Sequence, residues 1–518
     1  MNDFMTMIDK ENMNRITKTE NGANTYTSTG EYLLDLFYNI PSLRHNPYLF
    51  KEKFEKAYNE DKNLAIRWLL YLRDIKNGAG ERNSFRVLFT DFATKHPNVA
   101  IDIINKCNIQ DFGRWDDLIY AWSVLRDNNP EVAVAIKRII LTQLNEDLKK
   151  CSEAKSLNED CHISLLGKWM PSINTSSKKT RYTANELAKE FMISPKKYRK
   201  MLSILRKHSN VTEVKTSDNK WDEINYEQVP SYANLKYKNA FLKHDRERRL
   251  EYIKKLKEGK TDIKAGALFM YDVIHEYSLN FDHSVFCVDD ALEELWNKIN
   301  PPATLHNTLV VRDGSGSMTC KFSNTSNLSA MDVGDSICIF LSQFNTKDFK
   351  DKFITFSEHP EIVDMSYCKT LYDKLILLKA HDDCSNTNIE KVFDLILNTA
   401  IKNKIKQEDM PERIVIVSDM QFDEATRGTD IDKTLFDSFI KKYEDHGYKM
   451  PKLIFWNVSS YYHNQNVPVK TNDLGVTLLS GFSKNMVNMV VSDELDPFKA
   501  LVKVLKDKRY DCVDSIEF

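Results

Sequence analysis

Residues Thr308-Leu-Val-Val-Arg-Asp-Gly-Ser-Gly-Ser-Met318 decide the reading of this chain. A short apolar run ends at Asp313 and empties into small hydroxylated residues. The run has the length and β-branched content of a buried parallel strand, and Gly314 and Gly316 let the backbone turn tightly after it. Asp313, Ser315 and Ser317 then fall at alternate positions, a carboxylate and two hydroxyls able to converge on one point. Hard oxygens without a thiol or imidazole suit Mg²⁺, with Mn²⁺ or Ca²⁺ next, rather than zinc.

Downstream, strand-like and helical runs alternate. Strands are expected at Leu309–Val311, Phe353–Phe356, Ile414–Val417, Leu453–Trp456 and Val476–Leu479. Helices are expected around Ile337–Leu341, Leu371–Leu378, Ile389–Ile401, Leu435–Tyr443 and Leu495–Leu505. Alternation of this kind predicts a doubly wound, mostly parallel sheet, whose ligands bind at the carboxyl ends of strands where the strand order reverses. Asp313 ends the first strand and Asp419 follows Ile414–Val417. If those strands are neighbours, both acids line one crevice.

Upstream the period is helical. Apolar faces recur at Tyr32–Tyr38, Phe50–Ala57, Leu64–Leu72, Phe85–Phe92, Val99–Ile104 and Val132–Ile140, separated by short polar joints. This reads as stacked helix pairs, although no fixed-period repeat is present. Thr183-Ala-Asn-Glu186 has the form of a capping box, and Ser194-Pro195 places a cap before a proline at the first helical position. The helix after Ser194 has Tyr198, Met201, Leu202 and Leu205 on one face and a dense cationic face opposite. Asn300-Pro-Pro302 ends the helical pattern. The expected organisation is a loose arm over residues 1–28, a helical domain over 29–300 and a sheet domain over 301–518.

With 518 residues the chain exceeds one compact core, and 42% apolar with 29% charged residues is the composition of a folded protein. No apolar run reaches the ~18 to 20 residues that span a bilayer, and the N-terminus lacks a signal-peptide core, so a cytoplasmic protein without membrane contact is expected. Nine cysteines without a C-x-x-C pair indicate neither a disulfide framework nor a structural zinc site. The net charge of -2 is unevenly distributed. Residues 161–260 hold 23 Lys+Arg against 11 Asp+Glu, an excess of 12 in an otherwise acidic chain.

Asp313-x-Ser315-x-Ser317, then Thr387 in Ser385-Asn-Thr-Asn-Ile389, then Asp419 in Val417-Ser-Asp-Met420 resemble the metal-ion-dependent adhesion site of von Willebrand factor A domains. The resemblance implies the two serines and Thr387 around one Mg²⁺, Asp313 and Asp419 in water-mediated support, and an open position for a carboxylate of a protein partner. Leu70–Arg82, Gly113-Arg-Trp-Asp-Asp-Leu118, Leu166–Ser172, Tyr198–Arg206 and Phe241–Asp245 resemble a TROVE-like family known as domain of unknown function 2828. That family is similar in plan to the Ro proteins. The plan implies an N-terminal all-α, HEAT-like helical array, able to close into a ring, followed by a Rossmann-like von Willebrand A domain. It also implies binding of structured or noncoding RNA. Two features depart from the von Willebrand A pattern: Arg312 replaces an aliphatic residue, and Asp382-Asp-Cys-Ser-Asn386 replaces a glycine-rich approach to the threonine. A buried guanidinium must reach solvent or a carboxylate.

The expected nucleic-acid contacts are Lys168, Lys178, Lys179, Arg181, Lys196, Lys197, Arg199 and Lys200, interleaved with Trp169, Tyr182 and Tyr198. Cations could grip phosphates while aromatic rings stack on bases. The bland alternative is a solvated helix face, and Tyr198 belongs to the apolar face of its helix. Gly113–Asp117, with Arg73, Asp74, Glu81 and Arg82, reads as inter-helix salt bridges and caps rather than an acid–base cluster. Neither a nucleophile elbow nor a nucleotide loop is present. The expectation is a monomeric, non-enzymatic RNA-binding protein. An interaction scaffold for an acidic protein is the alternative, and a metal-dependent hydrolase a weaker one.

Overall fold

A computed structural model describes residues 16–18, 24–157, 161–209, 211–266, 268–282, 284–301, 303–323, 326–382, 389–420, 435–459, 467, 476–482, 486–492, 494 and 496–518. The chain divides into two compact units. One comprises residues 1–65 and 265–506 and carries the sheet; the other comprises residues 66–264 and 507–518 and is helical. No helix among the described residues is long and apolar enough to cross a membrane.

In the sheet unit, strands β1 (Ile16–Lys18) and β2 (Asn24–Tyr26) form an antiparallel hairpin. Tyr26 exchanges both backbone hydrogen bonds with Val467, each 2.9 Å, and Thr25 and Tyr26 are buried. The expected loose arm therefore ends in paired backbone. The main sheet begins with β3 (Thr308–Asp313), followed after a small hairpin of β4 (Lys321–Ser323) and β5 (Ser326–Ser329) by β6 (Lys352–Phe356) and β7 (Ile362–Asp364). It is completed by β8 (Arg413–Ser418), β9 (Lys452–Asn457) and β10 (Val476–Ser480).

Strand order is β10-β9-β8-β3-β6-β7, parallel throughout except for β7 at one edge. The chain runs from β3 outward to β7 and returns on the other side through β8, so the order reverses between β3 and β8. Those two strands pair in parallel, Arg312 beside Val417. All six residues of β3 are buried, as expected of a strand covered on both faces. Each of Leu309, Val310 and Val311 contributes roughly 1.5–3 kcal/mol by leaving water.

Helix Ala330–Gln343 packs along β3, and helix Met270–Asp282 packs on it in turn. The two are joined where His275 Nδ1 and the Ser278 hydroxyl meet the Asp332 carboxylate, at 2.8 and 2.6 Å. Packing on the sheet unit therefore includes helices that precede Asn300 in the chain. Proline ends a helix locally but does not decide which core the helix joins, so Met270–Asp282 and Asp290–Asn297 fall with the sheet rather than with the helical array.

The helical unit is built on the 28-residue helix Pro130–Leu157, against which Pro97–Lys106, Trp115–Leu125 and Pro195–His208 pack. Ser194 caps the last of these through Lys197 N–H, with Pro195 at its first position. Thr183 caps nothing: it lies inside helix Lys178–Glu190, which Ser177 caps, and its hydroxyl donates to Lys179 O. The Gly113–Asp117 stretch is structural. The buried Asp117 carboxylate accepts from Arg73 Nε (2.8 Å), Arg86 Nε (2.7 Å) and Arg114 N–H (3.0 Å). A Cβ at Gly113 would stand 2.4 Å from Asp117 Oδ2, so only glycine fits.

The last residues return to this unit. Arg509 Nη2 donates to Asp74 Oδ1 (2.9 Å), the Tyr510 hydroxyl donates to Asp74 Oδ2 (3.0 Å) and Arg67 pairs with Asp514 (2.7 Å).

Candidate functional site

The carboxyl ends of β3 and β8 bring four of the five expected metal-site residues into the sheet's switch point; Thr387 lies outside the described residues. Asp313 is buried at the end of β3, where its Oδ1 accepts from Ser315 N–H (2.9 Å) and its Oδ2 from the Ser418 hydroxyl (2.6 Å). Ser315 Oγ and Ser317 Oγ are 3.0 Å apart. Neighbouring oxygens around an octahedral Mg²⁺ at about 2.0–2.1 Å stand about 3 Å apart, so the two hydroxyls fit adjacent positions on such an ion; the spacing is equally that of a hydroxyl–hydroxyl hydrogen bond. Asp419 is buried immediately past β8.

Ser418 is a residue the sequence reading passed over. It sits level with Asp313 on the neighbouring strand, and its Oγ also accepts from Met420 N–H (3.0 Å). Met420 has φ of 65°, a left-handed conformation rare for a non-glycine residue. The hydroxyl thus links the Asp313 carboxylate to a constrained turn. Burial raises the Asp313 carboxyl above its ordinary range, although the Ser418 and Ser315 hydrogen bonds and the Arg312 charge work against the shift.

Arg312 and Asp382, both set apart in the sequence, are partners. Arg312, fully buried, places Nε 2.8 Å from Asp335 Oδ1 in helix Ala330–Gln343, and Nη2 lies 2.6 Å from Asp382 Oδ1. Burial opposes the charge, but Asp335 and Asp382 more than offset it and raise the Arg312 pKa further. The guanidinium passes close beneath Gly314, where a Cβ would meet Nη1 at 2.8 Å and His381 O at 3.3 Å. The carboxylates that a buried Arg312 required are supplied by Asp335 and Asp382.

In the helical unit a cleft of about 840 Å³ opens beside helix Pro195–His208. Lys168, Arg199, Arg206 and Lys207 line it, with Lys215 and Lys220 further along. Part of this charge is spent internally: Lys168 pairs with Glu213 (2.8 Å), Lys220 with Glu223 (2.9 Å), and Arg206 donates to Gly167 O, Met170 O and the Ser172 hydroxyl. Lys196, Lys197, Arg199, Lys200 and Lys207 are exposed on the helix. The side-chain charges of these five form no ion pair or hydrogen bond among the described residues.

Of the expected nucleic-acid residues, Lys168 and Arg199 reach the cleft wall, and Lys196, Lys197 and Lys200 share Arg199's helix. Lys178, Lys179 and Arg181 are exposed in the first turns of helix Lys178–Glu190, with Lys179 Nζ 5.7 Å from the Tyr120 ring. Tyr198 is core, its hydroxyl donating to Pro171 O (2.9 Å). Tyr182 is exposed with the Arg126 guanidinium 5.2 Å from its ring, and Trp169 carries Arg114 at 4.9 Å.

Comparison with known proteins adds family relationships. The profile described as domain of unknown function DUF7788 matches residues 307–511, and that described as domain of unknown function DUF2828 matches residues 19–121 and 126–300. The chain is similar to the protein called "Uncharacterized protein L728" of Acanthamoeba polyphaga mimivirus, 29% identical over 95% of this chain and 88% of that protein. Matched over more than half of its length, the chain belongs to the family described as domain of unknown function DUF2828.

Proposed function

We propose that the chain is a non-enzymatic RNA-binding protein. In this reading the helical unit is a HEAT-like array that meets the phosphate backbone, and the sheet unit is a von Willebrand A-like domain that holds Mg²⁺ for a partner's carboxylate. The observation that carries the RNA reading is the cationic stripe of helix Pro195–His208: Lys196, Arg199, Lys200 and Lys207 recur at helical spacing, exposed and without a counterion among the described residues. Cations left without carboxylates suit phosphates, whose neutralisation releases counterions. Tyr182 offers an exposed ring nearby in sequence for base stacking.

The metal reading rests on hard oxygens at a parallel sheet's switch point, at the spacing that an octahedral ion accommodates. Ser315 and Ser317 would hold the ion, which presents a positive Lewis-acidic position; Asp313 and Asp419 provide negative charge behind it.

A second reading, a scaffold for an acidic protein, draws on Lys168 and Lys220, which already take the carboxylates of Glu213 and Glu223 in the same cleft. Purification of the full chain at low salt, followed by sequencing of the nucleic acid that travels with it, separates the two. Recovery of structured RNA displaced by salt is expected. Protein free of RNA that also leaves structured RNA unshifted at low salt would refute the RNA reading.

A further inference from the structure

Three ligands of a different chemical class meet in the helical unit. Cys151 lies on helix Pro130–Leu157, Cys161 in the segment before helix Leu166–Trp169, and His208 ends helix Pro195–His208. Their ligand atoms all lie within 4.8 Å of one another. The two sulfurs are 3.7 Å apart. Two thiolates on one tetrahedral zinc, each about 2.3 Å from the ion, stand about 3.8 Å apart, whereas a disulfide would hold them at about 2.05 Å. The separation suits a shared ion and is equally that of a thiol–thiol hydrogen bond, so it is the His208 nitrogen beside both sulfurs that points to a metal.

Each ligand is positioned by contacts outside the cluster. The buried Asp147, one turn before Cys151, accepts from Ser164 N–H (3.0 Å) and the Ser164 hydroxyl (2.5 Å), which fixes the segment carrying Cys161 to the long helix. Arg206, two residues before His208, donates to Gly167 O (3.1 Å) and Met170 O (2.7 Å), and Leu205 packs closely against Gly167. Cys151 is buried, while Cys161 and His208 are partly exposed. An ion held here would therefore be reachable from solvent. Sulfur and imidazole select zinc over the hard cations suited to the sheet unit.

We propose that Cys151, Cys161 and His208 bind one Zn²⁺ ion, with the fourth position open to water or a further ligand. The ion joins the Cys161 segment to the ends of two packed helices, and His208 adjoins Lys207 of the cationic cleft. Nine residues separate the cysteines and forty-six separate Cys161 from His208, spacings that match no finger motif, so the cluster arises from helix packing rather than from a local loop.

The test uses the full chain, reduced and freed of metal, then exposed to Zn²⁺ alone and desalted. One equivalent of retained zinc is expected, and Co²⁺ in its place should give the absorption of a tetrahedral thiolate site. Cys161→Ser and His208→Gln alter partly exposed residues and spare the buried Cys151; each should weaken zinc binding by more than the roughly tenfold that even outer-shell changes cost. Negligible retained zinc, or affinity unchanged in both Cys161→Ser and His208→Gln, would overturn the assignment. A Cys151–Cys161 disulfide that re-forms in the presence of Zn²⁺ would also overturn it.

Discussion

Arg312 and Asp313 are adjacent in sequence and opposite in task. Arg312 neutralises the buried Asp335 and the exposed Asp382 behind the sheet's switch point, and Asp313 places a buried carboxylate at the end of β3. Burial, with the charge of Asp382 adding to it, pushes Asp335 up to about 6 despite Arg312. A carboxyl with a raised folded pKa loses stabilising value as pH climbs from its unfolded value near 3.9 toward the folded one. Arg312→Ala removes the counterion, so its cost should be about 3–5 kcal/mol at pH 8 and smaller at pH 5, where Asp335 can take up a proton. Denaturant midpoints at both pH values check this, and an equal cost would exclude Asp335 as the cause. At the oxygen cluster, Asp313→Ala or Thr387→Ala should lower Mg²⁺ affinity in calorimetry while leaving the helical circular dichroism intact. Unchanged ion binding in both variants would remove the metal claim.

Among the elements, the joint between helices Met270–Asp282 and Ala330–Gln343 is set by His275 and Asp332. Burial opposes charge on His275, but Asp332, with Glu276 and Asp272, raises its pKa overall. Asp332 is held below the ordinary carboxylate range against its own burial by His275, Ser278 and Ser329 N–H. The His275 contribution is fully present below about pH 6.5 and is lost as pH rises through its folded pKa; that of Asp332 is lost as pH falls below about 4. His275→Ala should therefore cost about 1.5–3 kcal/mol near pH 5.5 and clearly less at pH 9, read from unfolding curves. The elements themselves were largely legible. β-Branched runs located β3, β6, β8, β9 and β10, and the proline and serine signals located the start of Pro195–His208. The edge strand β7 was missed because only its central residue, Val363, is buried, which leaves no apolar run to find. Ser418 was legible in principle, as a hydroxyl beside an acid at a strand end. The Cys151–Cys161–His208 cluster was not, because helix packing alone assembles it.

For the whole molecule, segments remote in sequence complete each unit. Such returns leave no periodic trace in the sequence. The Asp507–Phe518 return places Tyr510 in the helical core, stacked on Phe112 at 5.7 Å between ring centroids and bonded to Asp74. Tyr510→Ala should destabilise the helical unit by about 3–5 kcal/mol. Hydrogen exchange should then rise first in helices Lys62–Arg73 and Pro97–Lys106, and unchanged protection there would deny the return a structural role. Function is argued at this scale too, since a cationic stripe acts as a field rather than as one contact. The decisive measurement is the affinity of the full chain for a structured RNA across a salt series, beside the variant in which Lys196, Arg199, Lys200 and Lys207 are all changed to Glu. The account predicts that log affinity of the unaltered chain falls steeply with log salt. It also predicts that the variant binds far more weakly, with a flatter slope at each lost phosphate contact, and retains its Mg²⁺ and Zn²⁺ binding. Equal RNA affinity and equal salt slope in the two proteins would contradict it.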